Sequence, residues 1–366
     1  MIKLGRYKTR EVYFDENTAM NKNILLVGKS GGGKSVEAQK IILEISRKGG
    51  TVIALDWHQT LTEEEILENH RAEFSSYVQS IEAYSNGIQC KLFEPLIHPD
   101  GVSEHIEDVV GATVDTLDRT LKLGYGQKAA LRIAIRQMIE DGEFEESGLA
   151  GMDKILERIN TPAAEAVREK LYPLTAHNVF RYGDLFIQKG KINVIRLSRF
   201  DLGTQETVAE MLLAYIWRLA MVKYFKKKEI FLFVDECQNL PSGRRSALAQ
   251  MLSEGRKFGV NLILATQQLL QTSSSIIQQR LTQCGLVLYF RPDPGQVRVM
   301  AKMIDPEAEK GWMHMLRSLQ RGEFVAVGTL ALSGHRAEQQ LKVSAFEEES
   351  QARCPQPYER GKTYIH

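Results

Sequence analysis

A glycine-rich segment, GKSGGGKS at residues 28–35, constrains the fold of this chain more than any other feature. It follows the apolar run NILLV and precedes isoleucines at helical spacing, so it links a buried strand to a helix. It fits the pattern G-x-x-x-x-G-K-[ST] of phosphate-binding loops at every fixed position. Glycines let backbone N–H groups turn toward anionic oxygens, and the helix N-terminus adds a favourable dipole. We therefore predict a nucleotide-binding (Walker A) loop.

Each position of this loop has a predicted role. The nucleotide-binding residues are Gly28, Lys29, Ser30, Gly31, Gly32, Gly33, Lys34 and Ser35. Lys34 is predicted to reach the β- and γ-phosphates and to act in catalysis, and the Ser35 hydroxyl is predicted to ligate Mg²⁺.

The chain alternates apolar strand-like runs with helical patterns, which is typical of an α/β fold with a mostly parallel sheet flanked by helices. Strands are predicted at 23–28, 51–57, 191–197, 229–236, 260–267 and 286–290. Residues 60–74 are charged and predicted to be helical. The runs at 322–346 are predicted to form an edge hairpin.

The pattern of helix-like and strand-like segments also divides the chain into regions. We predict a short N-terminal segment at 1–22, an ATPase core at 23–95 and 185–346, a helical insertion at 96–184, and an extended C-terminal tail at 347–366. The insertion is predicted because helical patterns, broken at Gly124, run there with few strand-like segments.

Acidic and amide side chains follow two of the predicted strands. Asp235 ends the run FLFV and is predicted to hold Mg²⁺ through water, as a Walker B carboxylate. Glu236 follows and is predicted to polarise the attacking water as general base. Gln267 ends the next strand, and ligands of open parallel sheets sit at the carboxyl ends of strands, so it should orient water or report nucleotide state. An adjacent Asp-Glu pair and the absence of an N-K-x-D motif favour ATP hydrolysis.

Six segments together resemble the HerA/FtsK superfamily of RecA-like motor ATPases, which includes the conjugative coupling proteins. They are LGRYKTREVYFDENTAMNKNILLVGKSGGGKS (4–35), ALDWHQT (54–60), LGYGQKAALRIAI (123–135), INVIRLSRFD (192–201), SEGRKFGVNLILATQQ (253–268) and GEFVAVG (322–328). The resemblance implies a RecA-like P-loop NTPase core with a helical insertion. About 22 residues precede the first core strand, too few for the full N-terminal barrel of that family.

The resemblance also implies site residues and an oligomer. Arg256 falls where coupling proteins carry an arginine finger, which acts on a neighbouring subunit and so implies a hexameric ring; it could instead neutralise a helix C-terminus. Arg280 is a second candidate finger. His58 lies near the nucleotide or packs in a loop, and Lys257 is expected to be a surface residue.

The overall composition does not indicate whether the protein binds nucleic acid or a membrane. The net charge is +1 over 366 residues, and the lysines at 223 and 226–228 could bind phosphate or end a solvated helix. Four widely spaced cysteines favour reduced thiols over zinc or disulfides. No run is apolar and long enough to span a membrane, so we expect a cytoplasmic protein without an anchor of its own.

Two classes of function stay open at this point. The family implies an ATP-driven DNA translocase or helicase-like motor. The alternatives are a nucleotide-gated scaffold for a nuclease or other effector protein, and a soluble coupling ATPase of a conjugation or secretion system.

Overall fold

The computed structural model describes residues 1–66, 68–222, 225, 228–241, 243–269, 280–281, 283–332, 335–336 and 340–344. The strands are β1 Ile2–Tyr7, β2 Arg10–Phe14, β3 Ile24–Val27, β4 Thr51–Asp56, β5 Val78–Glu82, β6 Ile88–Gln89, β7 Phe180–Arg181, β8 Ile192–Arg196, β9 Ile230–Val234, β10 Val260–Thr266, β11 Leu286–Phe290, β12 Glu323–Gly328, β13 Leu330–Leu332, β14 His335–Arg336 and β15 Gln340–Ser344.

Helices of very different lengths connect these strands. They are α1 Lys34–Arg47, α2 Glu68–Tyr77, α3 Ala83–Asn86, α4 Ile106–Leu121, α5 Tyr125–Glu140, α6 Glu143–Ser147, α7 Gly151–Ile159, α8 Pro162–Ala176, α9 Leu202–Met221, α10 Ala247–Phe258, α11 Val297–Ile304 and α12 Glu309–Ser318. Short 3-10 turns cover Gly148–Ala150 and Cys237–Asn239. Within the described ranges, no helix is long and apolar enough to cross a membrane.

Seven neighbouring strands form the parallel centre of a 13-stranded sheet, in the order β11-β3-β10-β9-β4-β8-β5. Every residue of β3, β4, β9, β10 and β11 is buried, as expected for parallel strands covered on both faces. One face packs on α1. The core on the other face extends through α9 and α10, and α4 packs on α9 with α5 outside it. The predicted α/β class is confirmed.

The sheet continues beyond β11 as an antiparallel extension, in the order β12-β15-β1-β2-β13-β14. The two strands of the predicted hairpin do pair with each other, since β12 and β15 are antiparallel neighbours. Their predicted place at the edge was wrong, because β12 also pairs with β11 and β15 also pairs with β1, which puts both strands inside the sheet. β1 also went unpredicted. It pairs with β2, which follows it directly, and with β15, which lies more than 300 residues away in the chain.

Helices α4 to α8 lie between β6 and β7, inside the span for which the sequence predicted a helical insertion. The predicted break near Gly124 separates α4 from α5. α8 begins at Pro162 after Thr161, whose Oγ1 accepts a hydrogen bond from the Ala164 N–H at 3.2 Å. The bounds 96–184 of the insertion stay a prediction.

The segment predicted as a helix at 60–74 begins its helix only at Glu68. Residues 60–66 form turns instead. The Thr60 N–H donates to Asp56 Oδ1 at 3.0 Å, and Gln39 Nε2 donates to the Thr60 carbonyl at 2.8 Å. These bonds fasten the turns to β4 and to α1, and tertiary contacts therefore override the local helical tendency. We call residues 62–66 the acidic loop.

Glu37 of α1 gives a prediction on stability, because its side chain is fully buried. Burial raises its pKa to about 7, and Lys40, 3.5 Å away, offsets only part of that effect. The folded state thus keeps a proton that the unfolded state, with a pKa near 4.5, has lost. Folding stability should fall as the pH rises from 4.5 to 7, by about 3 kcal/mol in all.

Glu37→Gln should remove this loss, because an amide does not ionise. Urea unfolding at pH 5 and pH 8 measures it: the wild type should lose more stability between the two pH values than the variant. Equal losses would show that burial of Glu37 does not cause the pH dependence.

Candidate phosphate and carboxylate site

Three neighbouring segments hold the glycine-rich loop by backbone hydrogen bonds. The Gly28 N–H donates to the Thr266 carbonyl at the end of β10, at 3.3 Å, and the Lys29 N–H donates to the Arg291 carbonyl after β11, at 2.9 Å. The Gly322 N–H donates to the Gly32 carbonyl at 2.9 Å. The loop is therefore fixed at the carboxyl edge of the parallel strands before any ligand arrives.

Two glycines of the loop are required by its geometry. Gly28 has φ 153°, and a Cβ there would lie 2.7 Å from Cβ of Phe290. Gly33 caps α1 with φ 108°, and a Cβ there would lie 3.1 Å from the Gly322 nitrogen. Side chains at either position would push the loop away from the strands that support it.

Gly28→Ala should therefore destabilise the protein by about 2–6 kcal/mol, since backbone strain and overpacking each cost about 1–3 kcal/mol. Gly31→Ala is the matched control: Gly31 also has a positive φ of 74°, but its Cβ would meet no atom within 4 Å. Chemical denaturation should show a clearly larger loss for Gly28→Ala. Equal losses would mean that contact with Phe290 does not restrict the loop.

Lys34 points back into the loop. Its Nζ donates to the carbonyls of Gly28 at 2.7 Å and Lys29 at 3.1 Å, and its side chain is buried. Burial lowers the pKa of Lys34, while the negative charges of Glu236, Asp235 and Asp293 oppose that shift. The ammonium therefore lies in a cluster that joins the loop to the carboxylates.

Asp235 follows β9 at the same edge of the sheet and is buried. Its pKa is raised, mainly by burial and then by the adjacent Glu236 carboxylate; a hydrogen bond from the Glu236 N–H and the charges of Lys34 and His58 oppose the rise. A buried carboxylate beside a second one is a site that a cation would stabilise.

Two amides hold the carboxylate of Glu236. Gln267 Nε2 donates to Oε1 at 2.5 Å, and Gln238 Nε2 donates to Oε2. Thr266 Oγ1 in turn donates to Gln238 Oε1 at 2.7 Å. The backbone at Glu236 has a φ of 45°, a left-handed conformation that is uncommon outside glycine and is often found at functional sites. Glu236 is thus fixed in place by residues of β10 and of the turn after β9.

Sequence reasoning missed Gln238 and Asp293. Gln238 sits in a 3-10 turn that brings it back toward Glu236. The sequence signal for its role was its position two residues after Glu236. Asp293 follows β11 and faces Lys34, but a polar residue after a strand is too common a pattern to single it out.

The structure places the other predicted residues apart from this cluster, except His58. His58 is exposed and close enough to lower the pKa of Asp235. Arg256 lies exposed on the last turn of α10 and donates to the Met20 carbonyl. It sits at the opposite edge of the sheet, roughly 20 Å away along the seven residues of β10. Arg280 Nη1 donates to the Ala249 carbonyl at 2.6 Å.

The other lysines named from the sequence lie on the surface or outside the described residues. Lys257 is exposed and paired with Glu254 at 3.8 Å, as expected for a surface residue. Of the lysine cluster, Lys228 is exposed, and Lys223, Lys226 and Lys227 lie outside the described residues. In the described ranges the cysteines Cys90, Cys237 and Cys284 are free thiols.

The residues at the loop fit a magnesium nucleotide. The glycine cradle has no side chains to fill it, and in the described part of the chain the N–H groups of Gly31 and Gly33 have no internal acceptor. The ammonium of Lys34 adds positive charge, and Ser35 follows it as the second residue of α1. Asp235 supplies the oxygen ligand that Mg²⁺ prefers.

A family model described as "Helicase HerA, central domain" matches residues 2–216. The "Probable DNA double-strand break repair helicase HerA" of Methanocaldococcus jannaschii is 21% identical over 391 aligned residues, which cover 89% of this chain and 74% of that protein.

Solved structures share the fold. VirB4 of Thermoanaerobacter pseudethanolicus aligns with a TM-score of 0.70 at 15% identity, covering 95% of this chain and 97% of that one. The bacterial conjugative coupling protein TrwB, unbound, aligns with a TM-score of 0.59 at 13% identity, covering 96% and 92%. TrwB has also been solved with ADP and Mg²⁺, with a TM-score of 0.54. The predicted RecA-like P-loop fold is confirmed, and the chain belongs to the HerA helicase central-domain family.

Proposed function

We propose that this protein is an ATP-hydrolysing motor that works as a ring, most simply a hexamer, and translocates DNA in the cytoplasm. The observation that carries the proposal is the clamped carboxylate of Glu236, held by Gln238 and Gln267 next to the phosphate loop. A general base fixed by two amides suits repeated hydrolysis better than binding alone. DNA as the substrate follows from the HerA relatives, whose names describe DNA repair helicases.

Each residue of the site has a role in this proposal. The N–H groups of the loop and Lys34 bind the phosphates of ATP, and Ser35 and Asp235 hold Mg²⁺, which would neutralise charge on the phosphates. Glu236 accepts a proton from the attacking water. Gln267 directly follows β10 and donates to Glu236, so a contact between Gln267 and the nucleotide can change the position of the base.

Arg256 completes the site of a neighbour. It cannot reach its own phosphate loop across roughly 20 Å, which is the length of β10. An exposed guanidinium at that edge is placed to contact a different subunit, where it would stabilise charge on the transferring phosphate.

A scaffold for a nuclease or other effector is the second candidate. Tyr125 and Tyr172 of the helical insertion are 91% and 63% exposed, and exposed aromatic residues are typical of protein contacts. The likeness in fold to VirB4 and TrwB keeps a coupling ATPase as a third candidate.

Lys34→Ala tests the site assignment directly. We expect loss of ATP binding and turnover, because the variant removes the buried ammonium that points into the phosphate loop. Lys257→Ala is the matched control, since Lys257 is an exposed lysine elsewhere. ATP titration by calorimetry with a parallel phosphate-release assay measures both. Full activity of Lys34→Ala would refute the assignment.

A further inference from the structure

A cleft of about 790 Å³ opens between α4, α9 and α10, on the face of the sheet away from α1. Its floor contains Met211, Tyr215, Trp217 and Met221. Five arginines line it: Arg119, Arg218, Arg244, Arg245 and Arg280. The phosphate site uses none of these residues.

Three of these arginines are held by the protein itself. Arg119 Nε pairs with the buried Glu210 at 2.7 Å, and Arg218 Nη2 pairs with Glu104 at 2.6 Å. Arg280 donates to a backbone carbonyl, so its charge has no carboxylate partner there. These contacts fix the walls of the cleft, and they make it a built site rather than a gap between mobile side chains.

Arg244 and Arg245 are exposed, and neither forms an ion pair with any residue that the structure describes. Together with Arg280 they leave the cleft positive, and Asp115 is its one carboxylate without an ion pair in that part of the chain, since Glu254 pairs with Lys257. The cleft therefore favours an anionic ligand.

The residues that line the cleft favour a protein segment as its ligand. Tyr, Trp, Met and Arg are the residues enriched in the centres of protein interfaces. The apolar floor does not suit duplex DNA, because protein–DNA interfaces are more polar than protein–protein interfaces. A short loop with several carboxylates, projecting from a folded surface, fits both the charge and the shape.

The position of the cleft indicates a second copy of this chain as the source of that loop. Gln250, Ser253 and Glu254 line the cleft and lie on α10 within about 9 Å of Arg256 along the helix axis. If Arg256 meets the phosphate site of a neighbour, the cleft faces the same neighbour. This step rests on the proposed ring.

The neighbour carries a matching loop beside its phosphate site. In the acidic loop, Glu63, Glu64 and Glu65 are exposed and form no ion pair within the described residues. Gln39 holds this loop against α1, one helical turn beyond Ser35. The acidic loop and the cleft lie on opposite faces of the sheet, so they are two different surface patches, as a head-to-tail ring contact requires.

We propose that the arginine-lined cleft of one subunit receives the acidic loop of the next subunit in the ring. The contact joins the phosphate site of one protomer to α10 of its neighbour. The contact holds the carboxylates of the acidic loop near the N-terminal end of α10, and this positions Arg256 at the C-terminal end of the same helix.

Charge reversal on each side tests this contact. The cleft variant carries Arg244→Glu and Arg245→Glu, and the loop variant carries Glu63→Lys, Glu64→Lys and Glu65→Lys. In a ring of either variant alone, the cleft and the acidic loop carry charge of the same sign. The apparent dissociation constant for assembly should therefore rise by about 30-fold or more. Light scattering over a concentration series should show a shift toward the 41.4 kDa single chain.

An equal mixture of the two variants should assemble again. In a ring where they alternate, every cleft faces a loop of opposite charge, because each variant keeps the surface that the other reverses. Misfolding cannot produce such a rescue. Assembly of each variant alone, or no rescue on mixing, would overturn the proposal.

Controls separate this contact from a general effect of surface charge and from binding of DNA in the cleft. Arg132→Glu with Arg158→Glu, and Glu145→Lys with Glu146→Lys, reverse exposed charges on the helical insertion and should leave assembly unchanged. Unchanged mass with weakened binding of a DNA oligonucleotide by the cleft variant would make the cleft a nucleic-acid site and would also overturn the proposal. ATP hydrolysis by the wild type, measured in parallel, shows whether the proposed function has failed independently.

Discussion

Glu236→Gln should lower ATP turnover by about 10²–10⁴-fold while leaving ATP binding nearly intact, because an amide cannot take the proton of the attacking water. In the proposed site the phosphates are bound by Lys34 and by backbone N–H groups, which the change does not touch. Gln and Glu side chains have nearly the same size, so the variant should not disturb the packing of the site. Single-turnover hydrolysis and ATP titration on the same preparation measure the two effects separately.

Gln238→Ala provides the graded comparison. It removes one of the two amides that hold Glu236 but leaves the base itself and its bond to Gln267. We expect a smaller loss of turnover than for Glu236→Gln, again with unchanged ATP affinity. If Glu236→Gln turned over ATP at the wild-type rate, the general base would have to be another residue, and Asp293 would be the first to examine.

Arg256→Ala should reduce turnover by about 10³-fold or more, as loss of an arginine finger does, and should leave ATP binding to each subunit intact. The physical reason is that, in the proposed ring, the guanidinium acts on a neighbour's phosphate and contributes nothing to its own site, which lies at the other end of β10. Arg280→Ala is the competing variant, since the sequence offered both arginines. The larger loss should belong to Arg256.

Mixing subunits distinguishes action in trans from a structural role. Arg256→Ala subunits keep a working Glu236, and Glu236→Gln subunits keep a working Arg256. A mixed ring therefore contains interfaces with both groups, and mixtures should recover part of the activity that each variant lacks. A mixture as inactive as its components would leave Arg256 as a helix-terminal residue that neutralises the dipole of α10.

The sequence predicted the centre of this fold well because the signals there are local. A buried strand, a glycine-rich loop and a helix follow one another within residues 23–48, and Gly28 and Gly33 occur where the backbone requires them. Asp235, Glu236 and Lys34 were predicted from their places at strand ends and in the loop, and the structure brings these three together.

The parts that the sequence did not predict depend on distant contacts. β1 and β15 pair across most of the chain, and no local pattern reports such a pairing. Residues 60–66 resemble a helix in sequence because Glu and Leu favour helices. In the structure Asp56 binds the Thr60 N–H, and Gln39 binds the carbonyls of Thr60 and Glu65, so the segment forms turns. Gln238 reaches Glu236 only through a 3-10 turn. Such contacts require the folded chain.

The ATPase rate with and without double-stranded DNA, measured on protein sized by light scattering, is the decisive test of the proposed motor. We predict a ring whose turnover rises when DNA is added. A ring that hydrolyses ATP at the same rate with and without DNA would contradict a DNA motor and favour the scaffold.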